Sequence, residues 1–122
     1  MPSSNNHLPE ALRDLIPLTP AVFFILFALT DGEKHGYAIM QEVAKLSDDK
    51  VRMGPGTLYT TIQRLLALRL IEQTSTKSPA DPRRVYYRLT RMGKALLEAE
   101  TSRLNALVRL AQKKGLALRN AH

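Results

Sequence analysis

The apolar rhythm of this chain changes twice between residues 55 and 113, and that double change limits the folds open to it. Up to Leu68 the apolar side chains recur at three- and four-residue intervals, as helices require. From Ile71 the pattern becomes strand-like. "IEQTSTK" and "RVYYRLT" are β-rich runs flanking "SPADPR", whose two prolines, Asp and Ser make a loop. Val85, Tyr87 and Leu89 alternate with Tyr86 and Arg88, which predicts a returning strand with one buried and one wetter face. Thr90 then caps "RMGKALLEAETSRLNALVRLAQKKG", a helix of about 24 residues that stops at Gly115.

Four further helices precede the hairpin, a short lead-in and three compact ones. "LPEALRDLI" reads as a short lead-in helix with Pro9 at its first position, ending before Pro17. Thr19 and Pro20 supply an N-cap and a first helical residue for "AVFFILFALTDG". That segment is apolar almost all round, which predicts the buried centre of the domain. His35 and Gly36 open "HGYAIMQEVAKLS", amphipathic through Tyr37, Ile39, Met40, Val43, Ala44 and Leu46. After the short polar "DDKVRM", the stretch "GPGTLYTTIQRLLAL" forms the last of the compact helices, through about Leu68.

Three compact helices followed by a two-stranded hairpin is the order of a winged helix-turn-helix. The expected fold is therefore mainly α with a small β-hairpin, extended by the long C-terminal helix. At 122 residues the chain is one domain's worth. The expected divisions are an N-terminal extension and short helix over 1–17 and the winged helix-turn-helix over 18–90. The long helix follows over 91–115, with a tail over 116–122. With no cysteine, no disulfide or thiolate site is available. The longest apolar run, Ala21 to Leu29, is short of a membrane span, and "MPSSNNHLPE" lacks the features of a signal peptide. The expected location is the cytoplasm, in association with the nucleoid.

On the long helix, Leu97, Leu104, Val108 and Ala111 follow the seven-residue rhythm of a helix–helix seam, with Thr101 as its polar gap. Leu107 and Leu110 widen the stripe. Such a stripe predicts a homodimer, although packing within the chain would use the same residues.

Charge sharpens the functional expectation. Residues 50–94 hold ten basic and two acidic side chains, a net of +8, while the other 77 residues carry −1. A field so concentrated points to a polyanion, nucleic acid above all. In projection, Leu58, Ile62 and Leu65 form the inner face of the third compact helix, and Thr60, Gln63, Arg64 and Ala67 lie opposite, flanked by Tyr59 and Thr57. This outward face has no carboxylate, as a surface pressed on phosphates requires. Thr, Gln and Arg there have the chemistry to reach base edges or phosphate. Thr61 projects closer to the core side.

Gly54 and Gly56 leave the helix N-terminus open, so that backbone N–H groups and the positive dipole end can meet phosphate. A tight turn needing positive φ would explain the same glycines. Lys77, Arg83 and Arg84 bracket the hairpin tip, where a phosphate or minor-groove contact would be made. Tyr37 suits a backbone contact or a half-buried core position equally. Catalysis is not expected. His7, His35 and His122 are scattered, with no cysteine, paired carboxylates or phosphate loop beside them. No metal or cofactor is expected either. The alternative to DNA binding is a winged-helix adaptor for another protein, which would have no need of the basic excess.

"HGYAI", "GTLYTTIQRLLALRLIE" and "RRVYYRLTRMGKALL" resemble, in order and spacing, three motifs of the PadR family of bacterial transcriptional regulators. The resemblance covers about residues 18–112. It implies a homodimeric winged-helix repressor of the short-tailed subgroup, with the C-terminal helix in the dimer interface. Palindromic double-stranded DNA would be its partner, and a small lipophilic or phenolic molecule its inducer. It also implies that Thr57, Tyr59 and Arg64 are recognition-helix contacts and Tyr37 a backbone contact. Phe23, Phe24 and Phe27 could line an inducer cavity, but core packing is the simpler role. Two positions depart from the pattern: Thr60 stands where the family often has proline, and Arg69 where it usually has glycine. Arg69 therefore either closes the helix in a conformation that suits glycine better, or lets the helix run on.

Overall fold

The structure, a computed structural model, describes residues 8–74, 81 and 83–119. The elements run α1 (Glu10–Arg13), α2 (Pro20–Ala28), β1 (Lys34–His35), α3 (Gly36–Leu46), α4 (Pro55–Ala67), β2 (Ile71–Gln73), β3 (Tyr86–Leu89) and α5 (Arg91–Lys113). Helices α2, α3 and α4 surround one apolar core that also takes in Leu8, Leu12, Leu70, Ile71, Tyr87, Leu96 and Leu97. This is the winged helix-turn-helix arrangement with a long C-terminal helix.

Local chemistry sets the boundaries. The Thr19 hydroxyl accepts the Val22 N–H at the start of α2, and Pro20 occupies its first turn. His35 caps α3 with a ring nitrogen, Nδ1 accepting the Ala38 N–H at 3.3 Å. Thr90 caps α5 by accepting the Gly93 N–H at 3.0 Å. Pro9 precedes α1 rather than opening it, and its carbonyl accepts the N–H groups of Leu12 and Arg13.

Three helices end in the same way. The residue after the C-cap turns left-handed, and its N–H and the next one reach back to two carbonyls of the last turn. In α5 the left-handed residue is Gly115, with φ 87°. In α3 it is Asp48, followed by Asp49, with φ of 54° and 62°. In α4 it is Arg69, with φ 61°, the Leu70 N–H bonding the Leu65 carbonyl and the Arg69 N–H that of Leu66. The first of the two expectations for Arg69 is the one realised. It stops the helix in a conformation that favours glycine.

Four features differ from what the sequence predicts. The hairpin is part of a three-stranded antiparallel sheet in the order β1-β3-β2, because Lys34 and His35 pair with Tyr87 and Tyr86. Helix α2 is not buried all round. Val22, Ile25, Leu26 and Ala28 face the core, but Phe27 is 40% exposed and Phe23 and Phe24 are half-buried, their rings packed on one another at 5.3 and 5.7 Å. Leu97 is 6% exposed and belongs to the chain's own core, so it has no surface left for a seam between subunits. On the returning strand Tyr87 is buried and Leu89 half-buried, but Val85 precedes the strand and is exposed.

Candidate nucleic-acid interface

Helix α4 begins without help from any side chain. Gly54 stands at its N-cap position with no side-chain cap, Pro55 follows, and no acidic residue lies in the first turn. The first N–H groups of a helix lack partners within it, and here they are left at an exposed end. Glycine is not there for the backbone's sake. Gly54 has φ −75°, neither it nor Gly56 has a positive φ, and a Cβ on either would meet nothing within 4 Å. The turn explanation for these glycines therefore fails. What they provide is clear space outside the protein, over a helix N-terminus with a positive dipole end.

The inner and outer faces of α4 fall as projected. Leu58, Ile62 and Leu65 are buried, while Thr57, Tyr59, Thr60, Gln63, Arg64 and Ala67 are exposed. Thr61 is half-buried and returns its hydroxyl to the Thr57 carbonyl at 2.8 Å. Arg64 makes no ion pair among the described residues. It lies beside a small crevice lined by Leu15, Leu18 and Thr19, towards the lead-in segment. The C-terminal end of the outward face of α4 is thus bordered by Leu15, Leu18 and Thr19.

Tyr37 is 58% exposed, which excludes the half-buried core position and leaves its hydroxyl at the surface. Tyr59 does two things. Its phenol tip lies against Gly36, where any Cβ would collide with the hydroxyl, and its ring remains 44% exposed. Gly36 is the residue that allows the two helices this approach. Together His35, Gly36, Tyr37, Tyr59, Arg83 and Arg84 border a cleft of about 240 Å³ between the start of α3, the start of α4 and the wing. Lys77 lies outside the described residues.

The electrostatics of this cleft are mixed. Burial and the Arg84 charge hold the His35 pKa below its usual value, against an opposing pull from Asp81. That favours the neutral ring its capping bond requires, since Nδ1 must keep its lone pair. Burial, with Tyr59 nearby, pushes the Tyr87 phenol up. Asp81 sits 3.6 Å from Arg83 Nε and 3.9 Å from Arg84 Nε and accepts the Arg83 N–H at 3.1 Å. The wing arginines therefore share one carboxylate, loosely enough for a phosphate to compete. Arg88 is engaged more firmly, at 2.6 Å from Glu72 on the neighbouring strand.

Sequence reasoning missed Glu100. It lies on the buried side of α5, its side chain 3% exposed. It accepts the Leu18 N–H at 2.8 Å and two Arg103 bonds at 2.6 and 3.2 Å. The available signal was its spacing, three and four residues beyond Leu97 and Leu96, which places a carboxylate on a core face. Arg103 is the strongest influence holding its pKa below the ordinary carboxylate range.

Among the described residues no group of three His, Asp or Glu side chains is placed to hold a metal, and no helix is long and apolar enough to cross a membrane.

Comparison with known proteins agrees with this geometry. The family model described as the transcriptional regulator PadR-like family matches residues 25–99. A transcriptional regulator of Mycobacterium tuberculosis is 39% identical over 85 residues, covering 70% of this chain and 76% of that protein. An uncharacterized 37.1 kDa protein in transposon TN4556 of Streptomyces fradiae is 39% identical over 80 residues, 66% of this chain. The match spans only 21% of that relative's length. Among solved structures, a PadR-like transcriptional regulator from Bacillus cereus superposes with a TM-score of 0.65 at 22% identity, over 90% of this chain and all of that one. PadR of Bacillus subtilis, solved in complex with operator DNA, gives 0.57 at 23% identity over 66% of this chain and 45% of that one.

Proposed function

Because this chain belongs to the PadR-like family of transcriptional regulators, we propose that it binds palindromic double-stranded DNA as a homodimer and represses the genes beside its operator. The family consists of regulators rather than enzymes. One observation carries the proposal: α4 opens on glycines that nothing in the fold requires and continues in an exposed, carboxylate-free face. In this reading α4 enters the major groove, with Thr57, Thr60, Gln63 and Arg64 towards base edges. The Gly56 N–H, Tyr37 and Tyr59 hold phosphate, and Lys77, Arg83 and Arg84 carry the wing to the flanking backbone. Residues 18–90 form the DNA-reading unit. The outer part of α5, with Leu104, Leu107, Val108 and Ala111, forms the seam between subunits, and work on an operator places the dimer in the cytoplasm. A small lipophilic or phenolic effector would act by changing how far apart the two copies of α4 stand.

The test is to select fragments of the source genome with the purified protein and to measure affinity for the recovered site as salt is raised. A log affinity falling against log salt by about 0.9 per phosphate contact supports DNA binding. Salt-insensitive capture of a protein and no enriched DNA would support an adaptor instead. On the recovered site, Thr60→Ala with Arg64→Ala is expected to weaken binding far more than Arg109→Ala on exposed α5. Equal losses would place the recognition surface elsewhere.

A further inference from the structure

We infer that Thr90 is a positioning residue that sets the angle between the recognition helix and α5, and through it the operator half-site spacing the dimer accepts. The inference rests on the homodimeric DNA-binding reading above. Three bonds converge where α4 ends and α5 begins. The Thr90 hydroxyl donates to the Arg69 carbonyl at 2.7 Å, and its oxygen accepts the Gly93 N–H at 3.0 Å. The Thr90 N–H donates to the Leu70 carbonyl at 3.1 Å. Arg69 and Leu70 are the two residues that close α4, so the hydroxyl joins the end of one helix directly to the first turn of the other.

The contact is close as well as bonded. A Cβ at Gly93 would run into the Leu70 carbonyl oxygen and crowd Leu89. Glycine at that position brings the first turn of α5 onto the chain that leaves α4. Downstream, α5 is packed on the core as far as Glu100, and among the described residues from Thr101 onwards none is buried. The helix is thus a lever fixed at its base. From Thr90 to Ala111 it is roughly 30 Å long, so a tilt of about 10° at the base moves its far end by about 5 Å. One base-pair step is about 3.4 Å along the duplex, which makes the base of the lever a natural determinant of spacing.

Two substitutions separate this role from ordinary capping. Thr90→Asp keeps an excellent N-cap for α5 but, as a carboxylate, only accepts hydrogen bonds and has nothing to donate to Arg69. Thr90→Ser keeps both bonds. The natural chain has no cysteine, so Ala67→Cys places one spin label per subunit at the exposed end of α4. Electron–electron distance measurements on the DNA-free dimer then report how the two recognition helices stand. A narrow distribution is expected in the otherwise natural chain and with Thr90→Ser, and a broad one with Thr90→Asp.

On palindromes whose half-sites are moved by single base pairs, the natural chain is expected to prefer one spacing by at least about tenfold, and Thr90→Asp by less than about threefold. Affinity for an isolated half-site should be nearly the same in both. An equally narrow distribution in Thr90→Asp, or a loss of affinity uniform across spacings, overturns the inference alone. Absence of any distance between subunits in the natural chain overturns the dimer as well.

Discussion

The first ten residues of α5 and its last thirteen have a similar apolar share and opposite surroundings. In the inner part Gly93, Leu96, Leu97 and Ala99 are buried among α2, the sheet and the rest of the core. In the outer part Leu104, Leu107, Val108 and Leu110 are 38–56% exposed. A periodic stripe tells which way a helix faces but not whose surface covers it. Leu97 shows the limit. Its spacing joins it to Leu104 and Val108, yet its own chain already covers it.

The strongest way to break the comparison is to truncate one leucine in each part. Leu96→Ala, at a fully buried site, is expected to lower unfolding free energy by about 2–5 kcal/mol at any protein concentration. Leu107→Ala should act only through association, lowering the midpoint where that of the natural chain itself rises with concentration. Chemical denaturation across a concentration series checks both. Equal, concentration-independent losses would erase the distinction between the two parts.

The next test addresses the boundary. Glu100 ends the buried part, tied to Leu18 and paired with Arg103. Glu100→Gln leaves Arg103 without a charged partner and replaces one of the two accepting oxygens by a donor, which is expected to cost about 1–3 kcal/mol. The pH dependence has a definite sign. The folded carboxyl titrates below its ordinary 4.5, held there by the Arg103 bond first and helped by the Leu18 N–H. Its contribution is therefore complete above that value and is lost as pH falls through it towards the folded pKa. Stability of the natural chain should drop across that acid window, and the Glu100→Gln variant should show a shallower drop. Parallel curves would mean that the carboxylate is not what fastens the helix base.

Much of this division was legible beforehand, and the exceptions have physical causes. Helix starts at Thr19, His35 and Thr90 carry capping chemistry that acts within three residues, so they can be read locally. Strand β1 could not be read. Two residues are too few to show alternation, and Lys34 and His35 become a strand only because β3 lies beside them. On the candidate interface, the outward arc of α4 followed from helical projection alone. The sharing of Asp81 by two wing arginines did not, since it depends on how a loop folds back. The core position of Glu100 was visible in its spacing but ran against the expectation that a carboxylate is solvated.

The mildest predictions concern how helices end, where the outer part of α5 can be set against α4. Both stop with a left-handed residue making the same pair of backbone bonds, but one uses Gly115 and the other Arg69. A side chain in that conformation costs about 1–2 kcal/mol, less the entropy that glycine gives up on folding. Gly115→Ala should therefore fray the last turn of α5, costing about 1 kcal/mol locally and raising exchange of the amides at residue 115 and Leu116, which donate to the Gln112 and Ala111 carbonyls. Arg69→Gly should go the other way and stabilise the chain by about 0.5–1 kcal/mol, since the Arg69 side chain is exposed while its carbonyl makes the bond to Thr90. Urea denaturation at one fixed protein concentration reads this gain. A loss would mean that the arginine side chain contributes at the junction beyond its backbone, and that the strain at the end of α4 is matched by a contact α5 has no need of.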